Sequence, residues 1–117
     1  MEDCIFCKIA RREIKSEMIY ENDNFFSILD REPEVPGHSL IISKKHFETA
    51  LDLPNSLGQE FFNCVKNTTL KLMKKYKASG FNLLHNGFAD GEQIIPHFHI
   101  HVLPRKKNDG KIKFIKK

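Results

Sequence analysis

Tryptophan is absent from this chain, and only two tyrosines and three cysteines occur among its 117 residues. Three cysteines cannot build the paired framework of small secreted domains, so the fold must rest on an apolar core. A reducing, cytoplasmic setting fits that usage best. Long hydrophobic runs are lacking too. The acidic start Met1-Glu2-Asp3-Cys4 leads into no apolar stretch, which argues against a signal peptide and a membrane span. Internal repeats and low-complexity linkers are missing. A chain of 117 residues then has room for one core, and a single domain over 1–117 is expected.

Phenylalanine is plentiful, with ten residues, and the net charge is +4. Such a mildly basic chain attracts anionic small molecules as readily as nucleic acid. The positive charge gathers in a tail from Arg105 through Lys117, over 105–117. That tail reads as a solvated end rather than a nucleic-acid contact.

Met18 to Glu21 and Phe25 to Leu29 read as short strands joined by the turn residues Asn22-Asp23-Asn24. The prolines and glycine of 30–37 make a loop, after which His38 to Ser43 returns as a strand. Lys44 to Leu53 reads as a turn and a short helix. One long helix is expected from Ser56, which has capping-box spacing to Gln59, and Gly80 is expected to close it. Phe61, Val65, Leu72 and Tyr76 recur at helical intervals along it, and Cys64 falls on the apolar side as a buried thiol. Phe81 to His85 and Phe98 to Leu103 complete five strands. Short turns between neighbours predict an α+β domain with a mainly antiparallel sheet, one long helix and one or two short ones.

The most informative stretch is His97-Phe98-His99-Ile100-His101-Val102-Leu103-Pro104. A strand sends alternate side chains to opposite faces, so the three imidazoles share one face while Phe98, Ile100 and Val102 enter the core. A helix would scatter those rings around its circumference. Imidazoles that titrate near neutrality and sit side by side suit phosphorus chemistry or metal binding. A neutral ring attacks phosphorus well, and its neighbours can donate to phosphate oxygens and the leaving group. His99, flanked on both sides, is the natural nucleophile, and His101 the natural charge stabiliser or proton donor.

With these residues the chain resembles the histidine triad (HIT) family, and most closely its Hint branch of nucleotide-binding proteins. The similarity runs through Phe6-Cys7-Lys8-Ile9, Glu13-Ile14, Asp30 and Pro36-Gly37-His38. It continues through Lys44-Lys45-His46, Asn86 and Gln93 to the triad and Pro104. The resemblance implies the HIT-like fold and an enzyme acting on nucleotide α-phosphates, with His99 transiently nucleotidylated. The implied substrates are purine nucleotides whose leaving group is attached through nitrogen, such as adenosine phosphoramidate. By the same resemblance His101 contacts the phosphate and leaving group, and His38 backs the triad. Asp30 takes the ribose hydroxyls, Ile14 and Leu29 belong to the base pocket, and Asn86 and Gln93 contact the phosphate side. A homodimer is implied as well. The alternatives are a dinucleoside polyphosphate hydrolase of the Fhit type and a non-catalytic nucleotide-binding adaptor. One departure stands out: many relatives carry serine just after Gln93, and this chain has Ile94.

Cys4-Ile5-Phe6-Cys7 supplies two thiol ligands and leaves two to be found. In a subset of HIT-like proteins, and in the related galactose-1-phosphate uridylyltransferases, two histidines close such a site around structural zinc. The matching positions here are His46 and His97. A zinc-bound His97 would orient its neighbours and leave the chemistry to His99 and His101.

Overall fold

The computed structural model describes residues 4–110 and 112–116. Met1, Glu2 and Asp3 of the acidic start, and Lys111 and Lys117 of the basic tail, lie outside the described residues. Five strands form one sheet: β1 (Met18–Glu21), β2 (Phe25–Leu29), β3 (Ser39–Ser43), β4 (Gly80–Leu84) and β5 (His99–Arg105). Their order is β1-β2-β3-β5-β4, and every neighbouring pair is antiparallel. The last strand therefore inserts between β3 and β4, which puts His99 and His101 in the body of the sheet and not at its edge, while His97 lies just before the strand in a bend.

The expected period of two is present. Phe25 faces one side of β2 and Phe26 the other, and both are buried. Phe25, Ile41, Phe98 and Val102 pack with Cys64, Val65 and Leu72 of the long helix α2 (Gly58–Tyr76). Phe26, Ile28, Leu40 and Ile42 face away from α2 and pack with Phe6 and Ile9 of a short helix, α1 (Ile5–Ala10). Each such phenylalanine contributes about 1.5–3 kcal/mol by leaving water. His99 pairs with Ile42 and His101 with Leu40, so the histidine face of β5 is the face that α1 covers.

Five details depart from expectation. No sequence signal announces α1, since six residues offer barely one amphipathic period. Ser56 does not cap α2: it lies in a 3-10 turn, Asn55–Leu57, that runs directly into the helix without a side-chain cap. The helix closes at Lys77, whose φ of 55° places it in the left-handed region, while Gly80 opens β4. Ala78 N–H bonds the Met73 carbonyl at 2.9 Å, closing the end as a left-handed cap does. In 44–53 the short helix is a single 3-10 turn, Ala50–Asp52, capped by Thr49. Part of the basic tail is not free either. Arg105 belongs to β5 and binds both carboxylate oxygens of Asp109 and the Asn82 amide oxygen.

Candidate active site and metal centre

The tautomers of the triad can be read from backbone partners. His99 Nδ1 lies 2.7 Å from the His97 carbonyl oxygen, which can only accept, so Nδ1 carries the proton and Nε2 keeps its lone pair. On the other chain of contacts, the Glu34 amide donates to His38 Nδ1 at 3.0 Å. That forces the His38 proton onto Nε2, which lies 2.9 Å from His101 Nδ1. His101 must then accept on Nδ1 and hold its own proton on Nε2. The His99 and His101 rings stand 5.2 Å apart. The strand thus offers one lone pair and one N–H donor side by side.

Burial keeps these rings neutral. It pushes His99 and His38 below the ordinary histidine value, and it pushes His101 down to about 4, with His99 and His38 adding to the effect. A neutral His99 is the nucleophilic form.

His38, His99 and His101 line a cleft of about 930 Å³. Asp30 lines it too, tied to the start of β3 by its backbone N–H on the His38 carbonyl. One Asp30 oxygen accepts from the Glu32 amide and the other lies 3.5 Å from His38 Nε2. Ile5, Phe6, Ile9, Ile28 and Leu29 give the cleft an apolar wall. Asn86, Gln93 and Ile94 stand on the lining formed by the segment after β4.

Cys4, Cys7, His46 and His97 bring four ligand atoms within 4.8 Å of one another. His97 Nε2 lies 2.6 Å from the Ser43 carbonyl, so Nδ1 holds the lone pair. That nitrogen faces Cys4 Sγ at 3.2 Å and Cys7 Sγ at 3.4 Å, while His46 Nδ1 lies 3.2 Å from Cys7 Sγ. Ordinary zinc bond lengths in a tetrahedron put sulfur and nitrogen ligands about 3.5 Å apart. The donor set fits a tetrahedral metal, and the Ser43 carbonyl supplies the outer contact that fixes a ligand's tautomer. Burial and then the Cys4 hydrogen bond push the Cys7 thiol up to about 11. A bound cation would displace the thiol proton and supply the attraction that holds two thiolates together.

A second group, Asp30, His38 and His101, also lies within 4.8 Å. It does not make a metal centre, because the Glu34 amide obliges His38 Nε2 to carry a proton.

Residues 11–108 match the HIT domain family. The chain belongs to the HIT family. Adenylylsulfatase HINT3 of Arabidopsis thaliana is 41% identical over 107 residues, 92% of this chain and 54% of that protein. The chain therefore spans about half of that relative. Adenosine 5'-monophosphoramidase HNT1 of Saccharomyces cerevisiae is 34% identical over 103 residues, 88% of this chain and 63% of that protein. A solved hypothetical histidine triad nucleotide-binding protein from Sulfolobus tokodaii superposes with a TM-score of 0.85 at 36% identity, covering 97% of this chain and 77% of its own. The fold is that of the HIT proteins.

Within this HIT protein, not every residue expected at the site reaches the cleft. Ile14 packs against the α1-side core and is not among the cleft-lining residues. Gln93 lines the cleft, yet its side chain is spent on backbone. Its oxygen accepts from Phe88 N–H, and its nitrogen donates to the Glu48 and Ile95 carbonyls. Gln93 therefore braces the loop and has no donor left for a phosphate. Ile94 is 90% exposed at the cleft rim. Sequence reasoning missed His85, whose Nδ1 donates to the His99 carbonyl at 3.3 Å and whose Nε2 accepts from Ala50 N–H. A lone histidine at a strand end carries no spacing signal that could have found it.

Proposed function

We propose that this HIT protein is a purine nucleoside phosphoramidase, a hydrolase or transferase working by double displacement through a nucleotidyl-His99 intermediate. The observation that carries the reading is the pair of fixed tautomers: a lone pair on His99 Nε2 beside an N–H on His101 Nε2. The lone pair attacks the α-phosphorus, and the positive charge gained by the ring rests against the His97 carbonyl. The substrate P–N bond breaks as the His101 Nε2 proton passes to the departing nitrogen, which leaves as an amine. Water then attacks phosphorus and gives one proton back to His101 Nε2; the His99 N–P bond breaks, the nucleoside monophosphate is released and the lone pair returns to His99. Asp30 offers acceptor oxygens for the ribose hydroxyls, and Leu29 with Ile5 and Ile9 of α1 offers an apolar seat for the base. Asn86 is left as the amide able to reach the phosphate side.

The names of HINT3 and HNT1 support nucleotide hydrolysis, and the charge of the cleft supports a nitrogen-linked leaving group. Asp30, Glu32, Glu34 and Glu92 line it against a single arginine, Arg31, among the charged side chains. A carboxylate-rich rim repels an extended polyphosphate or sulfate and tolerates an amine. Initial rates on adenosine phosphoramidate, adenylylsulfate and a diadenosine polyphosphate test this. Fastest turnover of the phosphoramidate is expected; preference for the polyphosphate would return the chain to the Fhit-type alternative.

The four-ligand site supports structural zinc, one per chain. Bound there, zinc supplies a crosslink between the N-terminal turn and the sheet. Elemental analysis of protein purified without chelator should find it, and a stable metal-free protein would count against it. Homodimerisation is supported by exposed apolar side chains, Phe81 and Leu83 on the edge strand β4 and Phe62 and Leu70 on α2. Light scattering should report a dimer. We further take the chain as one HIT domain over 1–117 acting in the cytoplasm, with neither membrane nor nucleic acid as partner. Among the described residues no helix is long and apolar enough to cross a membrane.

A further inference from the structure

The metal ligands and the proposed nucleophile meet on one short helix. Cys4 and Cys7 bracket the first turn of α1, and Phe6 lies between them in sequence. The Phe6 ring, 4% exposed, meets His99 edge-on, with centroids 5.0 Å apart and planes at 69°. It also meets His97 at 5.8 Å and 89°.

Six residues cannot sustain a helix alone. The turn is closed by Cys7 N–H on Cys4 Sγ at 3.4 Å, Lys8 N–H on the Cys4 carbonyl and Arg11 N–H on the Cys7 carbonyl. Whatever holds the two sulfurs against His46 and His97 also fixes Phe6. The His99 ring, for its part, is tethered by the Nδ1 bond to the His97 carbonyl. One hydrogen bond fixes one ring atom and lets the plane swing about it. The edge contact with Phe6 supplies the second constraint.

We propose that α1 is a clamp on the nucleophile: a metal at Cys4, Cys7, His46 and His97 sets the helix, and Phe6 holds the His99 ring in its attacking orientation. Phe6 is then a positioning residue, and the metal site governs the cleft without lining it. The proposal rests on the reading of His99 as nucleophile.

The experiment uses the metal-loaded full chain, with NMR of the histidine ring nitrogens, amide exchange at Lys8 and Arg11, turnover, and affinity for adenosine monophosphate. Phe6→Leu keeps the buried bulk and the fold. It should lower kcat roughly ten- to a hundredfold with nucleotide affinity little changed, because misorientation costs the attack and not the binding. Its His99 ring signals should shift and broaden as the plane swings about the retained Nδ1–H bond, while exchange in α1 stays as in the parent. Cys4→Ser/Cys7→Ser, which alters no cleft-lining residue, should reproduce the His99 signature and the kcat loss. It should also speed exchange at Lys8 and Arg11. Parent-like His99 signals in either variant overturn the clamp, as does a Phe6→Leu protein that loses affinity and keeps kcat. Failure of the nucleophile assignment looks different: His99→Ala stays active while the His99 ring signals of the other two variants still change.

Discussion

His38 Nε2 lies 2.9 Å from His101 Nδ1, and the direction of that hydrogen bond is dictated from outside the pair. The Glu34 amide occupies the far nitrogen of His38, so the proton has only one place to sit. One backbone N–H in the β2–β3 loop thereby decides which nitrogen of His101 presents a donor to the cleft.

His38→Leu removes that relay and frees His101 to adopt the wrong tautomer. Steady-state kinetics should show kcat lower by about ten- to a hundredfold, the usual cost of losing such an outer contact. Affinity for nucleoside monophosphate should change little. His38→Gln, which can place an N–H near the same point, should recover most of the loss. Equal defects in the two variants would mean that His38 serves packing alone.

Acid should weaken the protein through the same rings. His101 has an ordinary value of 6.5 and is pushed down to about 4 by burial, with His99 and His38 adding to it. Its unfolded form therefore binds more protons than the folded form between those values, and stability rises with pH across that window. The contribution is complete above about pH 6.5 and is lost as pH falls through about 4. Urea midpoints measured from pH 7 to pH 4 should decline, and His101→Phe should flatten the decline. The rate profile should hold its plateau below pH 6 and fall only as the rings take protons.

Gly37 is fixed by geometry. Its φ is +85°, and a Cβ there would sit 2.7 Å from Tyr76 Cδ2. Gly37→Ala combines backbone strain with a clash against α2, a cost of about 2–4 kcal/mol. Thermal melts should show the loss, and His38, the next residue, should lose part of its effect on kcat. A melt like that of the parent would contradict the packing described.

The elements legible in the sequence were those with a sustained period. The alternation placed Phe98 and Val102 against α2 and the His99 and His101 rings opposite, as observed, although His97 itself precedes the strand. Phe61, Val65, Leu72 and Tyr76 marked the α2 face correctly. What escaped notice lacks a period. At six residues α1 is too short to show one, so the cover over the histidine face could not be foreseen. Lys77 took the left-handed cap that a glycine was expected to fill, because the chain had to turn three residues earlier to deliver Gly80 into β4. Gln93 was legible as a site residue by position only. Its three hydrogen bonds to backbone depend on how the loop folds, which no local pattern encodes.

The proposed double displacement requires that His99 Nε2 become covalently attached to phosphorus. Rapid-quench mass spectrometry during turnover of adenosine phosphoramidate, with peptide mapping, measures that directly. One adenylyl group on His99 is predicted, and His99→Ala should bind adenosine monophosphate while showing neither adduct nor turnover. An adduct on His97 or His101, or appreciable turnover by His99→Ala, would contradict the assignment of His99 as nucleophile.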